Sequence, residues 1–166
     1  MERKLFYFLN FALLACFAAA YVMDFTPEWK TYQKNYYKMA KSRSGLEIKQ
    51  IISKDLGRVD RCITCHVGMD EYTNPTMTND FTEHPYKAHP KMDLIGKNHP
   101  FTKYGCTICH QGQGLATTVK DAHGKVHNWA KPMLEGKMVQ ASCARCHNGF
   151  DRLKGAEFVA KGASLF

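Results

Sequence analysis

Hydrophobic and polar positions divide the chain into unequal parts. Residues 5–23 are apolar apart from Asn10, follow Arg3 and Lys4, and end at Asp24. About 20 such residues in a helix cross a ~30 Å hydrocarbon layer, so the run predicts a transmembrane anchor over residues 1–23. Arg3 and Lys4 predict that its amino end stays in the cytoplasm. Ala18-Ala19-Ala20 offers a signal-peptidase alternative, and Leu13-Leu14-Ala15-Cys16 a lipoprotein-type acylation site. A secretory signal's apolar region usually runs about 7–15 residues, so an uncleaved anchor is the expectation. Cys16 then acts as a small apolar residue facing lipid or a partner helix.

Thr26-Pro27-Glu28 predicts a second helix, with a hydroxyl cap, proline at the first helical position and an early acid. Trp29, Tyr32, Tyr36 and Met39/Ala40 recur at helical spacing among Lys30, Lys34, Lys38 and Lys41, until Ser44-Gly45 ends the pattern. The segment 24–60 is therefore expected to hold a juxtamembrane amphipathic helix and a connector. Its lysines suit either a solvated face or contact with lipid headgroups or an acidic partner. Leu46, Ile48, Ile51 and Ile52 fit a short strand or a helical turn equally well. His84, His89 and His99 each precede proline, which favours extended backbone and a loop through that region.

Composition sharpens this picture. The chain is 45% hydrophobic, but nineteen of its first 23 residues are hydrophobic, which leaves the remainder poor in core-forming side chains. Something other than aliphatic packing must fill the interior. Three pentapeptides supply a candidate: Cys62-Ile63-Thr64-Cys65-His66, Cys106-Thr107-Ile108-Cys109-His110 and Cys143-Ala144-Arg145-Cys146-His147. Each is C-x-x-C-H, the haem c attachment pattern. Two thiols three positions apart reach the two vinyl groups of one haem, while the adjoining histidine offers a nitrogen to its iron. Zinc sites use cysteine pairs two at a time and would leave one pair over, and a thioredoxin-like dithiol does not repeat three times beside histidine. Three covalently bound haem c groups are expected, tethered by Cys62, Cys65, Cys106, Cys109, Cys143 and Cys146, with His66, His110 and His147 as proximal iron ligands. Haem c is attached outside the cytoplasm, in agreement with the orientation read from Arg3 and Lys4.

With these motifs the chain resembles the multihaem c-type cytochromes, specifically membrane-anchored three-haem members, over about residues 60–150. The stretch His99-Pro100-Phe101-Thr102-Lys103-Tyr104-Gly105 is similar to family lead-ins that lend a ligand to a neighbouring haem. The resemblance implies a relay carrying electrons from a quinol-linked membrane complex to periplasmic or extracellular acceptors. It also implies integral membrane quinol-oxidising or cytochrome complex subunits and a soluble or extracellular redox protein as partners. The expected location is the bacterial inner membrane, as a single-pass protein with its haem domain on the periplasmic side.

Five histidines lie outside the motifs. As distal ligands they rank His99, His127, His89, His123 and His84, all within one middle segment, which would draw the haems into a cluster. Methionine competes, through Met69, Met77, Met92, Met138 and above all Met133, which follows Pro132; one His/Met haem would have a raised potential. Spare histidines outnumber irons by two, so closed coordination and a non-catalytic electron-transfer subunit are expected. The alternatives are a quinol dehydrogenase in its own right, and a small-molecule reductase or haem sensor with one open iron. In the former a haem lies close to the anchor, whereas the residues between Met23 and Cys62 allow the first haem to stand away from the bilayer unless the connector folds back.

The formal charge of +8 splits evenly between residues 1–60 and 61–166. Three haems add about six propionates, offset by about one positive charge per ferric centre, for a total of about +5. Nucleic acid is not implied, and the modest positive field suits an acidic redox partner. The expected fold is mainly α with extensive coil and little or no sheet: a transmembrane helix followed by a compact three-haem domain over residues 61–150. Residues 151–166 form a tail that looks like the helical lead-in of a single-haem cytochrome c module, so a longer polypeptide is an open reading.

Overall fold

The computed structural model describes residues 2–69 and 79–165. Met77 therefore lies outside the described residues. The first helix, α1 (Glu2–Phe25), is built from Ala, Leu and Phe, with its side chains exposed from residue 3 onward apart from the half-buried Ala12. It is the one described helix long and apolar enough to cross a membrane. Asn10, its internal polar residue, donates from Nδ2 to the Phe6 carbonyl at 2.8 Å and so carries its own acceptor in an apolar setting. The helix outruns the expected anchor by two residues, because the Thr26 hydroxyl donates back to the Val22 carbonyl at 3.0 Å.

Thr26 thus closes α1 instead of capping the next helix. Pro27 occupies the N-cap of α2 (Glu28–Met39) in extended conformation, and no side chain caps that helix. Glu28 in the first turn and Lys38 in the last suit the helix dipole. The buried face of α2 carries Trp29, Gln33, Tyr36 and Tyr37, while Met39 is exposed. Tyr36 and Tyr37 pack with Val67 and Tyr86, bordered by Tyr32, Ala40, Leu46 and Phe81. Each fully buried aromatic contributes roughly 1.5–3 kcal/mol.

Gln33 is the residue in this face that periodicity did not single out. It is fully buried, donates from Nε2 to the carbonyls of Glu47 (2.6 Å) and Thr64 (3.0 Å), and accepts from the Glu47 amide at 3.0 Å. The Thr64 hydroxyl donates to the Lys49 carbonyl and accepts from its amide. Together they bind α2, residues 47–49 and the first C-x-x-C-H turn into one unit.

The branched run near residue 50 resolves as a strand. β1 (Ile51–Ser53) pairs antiparallel with β2 (Arg58–Asp60), with Ile51 opposite Asp60 and Ser53 opposite Arg58. Gly57, at φ +59°, closes the turn by donating to the Lys54 carbonyl. Ile51 packs inward on Ile63 and Phe101, while Ile52 faces out. Beyond the hairpin the described residues form short helices and coil: a 3₁₀ turn at Cys62–Thr64, α3 (Met92–Ile95), α4 (Phe101–Tyr104), α5 (Thr107–His110), α6 (Val119–Ala122), 3₁₀ helix at Gly136–Arg145 and Phe150–Arg152, and α7 (Glu157–Ala163). Among the described residues the fold is mostly helical with one small sheet. Among the described residues only nine hydrophobic side chains are buried.

Candidate cofactor-binding site

All three C-x-x-C-H segments adopt the same local turn. The amide of His66 donates to the Cys62 carbonyl (2.9 Å), that of His110 to Cys106 (2.9 Å) and that of His147 to Cys143 (3.0 Å). An i to i+4 bond puts positions i, i+3 and i+4 on one side of a helical turn, so each segment presents two thiols and an imidazole together. None of the seven cysteines is in a disulfide.

The turns are fastened to one another. Asp60, at the end of β2, accepts from the amides of Cys62 (Oδ1, 3.0 Å), Cys106 (Oδ2, 2.8 Å) and Thr107 (Oδ2, 2.7 Å). The Ser142 hydroxyl donates to the Cys109 carbonyl at 2.5 Å, and Arg145 donates from Nη1 to the Ile108 carbonyl at 3.1 Å. One set of bonds joins the first turn to the second, and the other joins the second to the third. Their order in space follows their order in the chain.

Each motif histidine faces one spare histidine. Ring centroids are 6.4 Å apart for His66 and His123, 6.0 Å for His110 and His89, and 5.9 Å for His147 and His99. Two imidazoles bound trans to one metal through bonds of roughly 2 Å place their centroids about 6 Å apart. The three pairs therefore have the separation that an iron between them requires. Protonation state agrees at His66, His89 and His123, since a ligand imidazole must be neutral. Burial, helped by the facing His123, lowers His66 to about 4, with the Pro85 carbonyl opposing. Burial likewise lowers His89, and lowers His123 with help from Lys125. His66 Nδ1 is buried without a hydrogen-bond partner. His89 Nδ1 donates to the Pro90 carbonyl at 2.8 Å, which leaves Nε2 for a metal.

Two spare histidines pair with no motif histidine, though His84 lies near enough to His66 to help lower it. His127 and His84 are exposed, and among the described residues neither ring is stacked on a motif histidine. His123, ranked below His127 from sequence, takes the inward position because it ends α6 and Gly124, at φ +68°, turns the chain immediately afterwards. Met133 is half-buried and its amide donates to the His123 carbonyl. Met69 follows the first motif, Met92 packs on the Ile51 cluster, and Met138 is exposed.

Four of the six motif thiols are held protonated. Cys62 is raised well above the usual thiol range, first by a hydrogen bond with Cys106 and then by burial. Burial pushes Cys65 up to about 11, Glu28 adding to it, and also raises Cys109 and Cys143. A redox dithiol needs a lowered thiol, and both thiols of the first motif are raised, so that chemistry does not fit there. Asp60 Oδ, Cys62 Sγ and Cys106 Sγ lie within 4.8 Å of one another, a three-donor set short of the four ligands of a closed zinc site. A cavity of about 510 Å³ opens beside the second motif, between Arg58, Val59, Thr107, Gln113, Leu115 and Trp129. The donor sets fit three iron porphyrins better than zinc or a dithiol.

The connector folds back. Glu28, three residues past α1, accepts from the Val119 amide at 2.9 Å (Oε2) and from the Tyr32 hydroxyl at 3.4 Å (Oε1). It lies close enough to Cys65 and His123 to act on both electrostatically. The first imidazole pair is thus tethered near the end of the apolar helix. Asp60, Gln33 and Glu28 were the site-building residues that sequence reading passed over, each a lone polar residue with partners far along the chain. No protein-family model, curated protein or solved structure matches this chain.

Proposed function

We propose that the protein is a membrane-anchored three-haem c-type cytochrome that relays electrons between a quinol-linked membrane donor and acceptors on the far side of the membrane. The observation that carries this reading is the trio of facing imidazole pairs, each joining one C-x-x-C-H histidine to a histidine elsewhere. Haem 1 would take Cys62, Cys65, His66 and His123; haem 2 Cys106, Cys109, His110 and His89; haem 3 Cys143, Cys146, His147 and His99. When bound, haem supplies reversible one-electron iron chemistry. The chain's part would be to offer each iron two imidazoles, to hold neighbouring turns together through Asp60, Ser142 and Arg145, and to tether the array to the anchor. Because each pair would occupy both sides of an iron, the pairing supports a relay over a reductase or gas sensor.

The return of Glu28 to the first pair also favours the second reading, a quinol dehydrogenase in its own right, because it brings haem 1 toward the membrane surface. Arg3 and Lys4 support a cytoplasmic amino end and an inner-membrane location with the haems outside the cytoplasm. The test is a pyridine haemochrome assay with intact mass on the purified full chain. Three tightly retained haems are expected, and a colourless protein overturns the proposal. Carbon monoxide added to the ferrous protein should leave the spectrum unchanged; a substantial shift at one haem would favour the open-site alternative. Reduction of the isolated protein by a lipid-soluble quinol selects the dehydrogenase reading.

A further inference from the structure

Asp60 is buried, 3% exposed, with both carboxylate oxygens committed to backbone amides of the first and second motifs. A side chain on Gly105, which sits at φ +68°, would bring its Cβ within 3.1 Å of Asp60 Cβ and Oδ2, so the close approach of the second motif depends on glycine there. The carboxylate lies against the first cysteine of each of two motifs, with oxygen and both sulfurs inside 4.8 Å. Its hydrogen bonds reach nothing in the third motif. Among the described residues no Lys or Arg forms an ion pair with it.

A negative charge held in a low-dielectric interior stabilises the more positive, oxidised state of a nearby redox centre, and its influence weakens with distance. We propose that Asp60 is a positioning residue that locks the first two attachment turns together and, by its charge, holds the potentials of haems 1 and 2 low while leaving haem 3 outside its reach. The effect biases electrons away from the membrane end and toward the third haem. The inference rests on the haem reading above.

The experiment uses the full-length holoprotein in nanodiscs, with haem counted first so that failure of the haem reading is seen separately. Spectroelectrochemical titration of Asp60→Asn, with waves assigned by adding His123→Met, His89→Met or His99→Met in turn, should show two potentials raised and the third unmoved. Each rise should reach about tenfold in the reduction equilibrium constant, which is 59 mV for a one-electron couple. Asp60→Glu, which keeps the charge, should bring both back toward wild type. An equal shift at all three haems, or no shift with three haems bound, overturns the proposal. If Asp60→Asn loads fewer than three haems, Asp60→Glu is compared with Asp60→Gln, a pair of matched length that differs in charge. The Gln protein must then show the higher potentials at haems 1 and 2, and equal values overturn the charge assignment.

Discussion

At the scale of single residues, the imidazole pairing makes the sharpest claim. Replacing His123 by Met should raise one of the three potentials by on the order of 0.1 V, within the ~0.8 V range that axial ligands span. His127→Ala should leave the visible spectrum and all three potentials as they are, and His84→Ala should leave the visible spectrum as it is, since both side chains are exposed and unpaired with a motif histidine. A titration in which His127→Ala moves a potential and His123→Met moves none would reverse the assignment. Gln33 makes a separate claim about stability. Its amide satisfies three backbone groups from two other segments, so Gln33→Ala strands buried donors and acceptors and should cost about 2–4 kcal/mol. The loss should be read as a lower denaturant midpoint.

At the scale of elements, two short pieces position the site. The hairpin delivers Asp60 to the first two motifs, and α2 delivers Glu28 to the start of α6. Glu28→Ala removes the acceptor for the Val119 amide, and faster hydrogen exchange is expected at residues 118–122, with exchange around Gly136–Arg145 unchanged. Equal protection in variant and wild type would mean that the tether carries no weight. The Trp29, Tyr32 and Tyr36 stripe of α2 was legible from its period, because a helix repeats the same face whatever it packs against. Gln33 was not, because a glutamine beside lysines reads as solvent-facing until the backbone groups it serves are brought to it. The same limit applied to residues 46–52: four branched side chains suit a strand or a turn, and only pairing with Arg58–Asp60 selects the strand.

At the scale of the whole molecule, one helix stands bare and the remainder has a small hydrocarbon core. The full chain should stay in the membrane pellet after high-salt and alkaline washing, and release by either wash would count against an anchor. Acid should undo the folded part in a defined direction. His66 in the folded chain titrates near 4, below the 6.5 of a free imidazole, so between those values the unfolded chain takes up a proton that the folded one refuses. Folding stability should therefore fall as pH is lowered from about 6.5 toward 4, followed by thermal unfolding at a series of pH values. Rising stability across that window would contradict a buried, neutral His66.

The sequence by itself determined what is local or cumulative. The apolar length of residues 5–23 depends on composition alone, and the three C-x-x-C-H turns depend on a spacing that any helical turn converts into a shared face. Only the tertiary structure decided which spare histidine meets which motif, how the motifs are ordered in space, and that the connector returns to the first of them. Those contacts join residues tens of positions apart. Their choice turns on where Gly124 redirects the chain, on which amides reach Asp60 and on how α2 packs, and no periodicity along the chain encodes such long-range agreement.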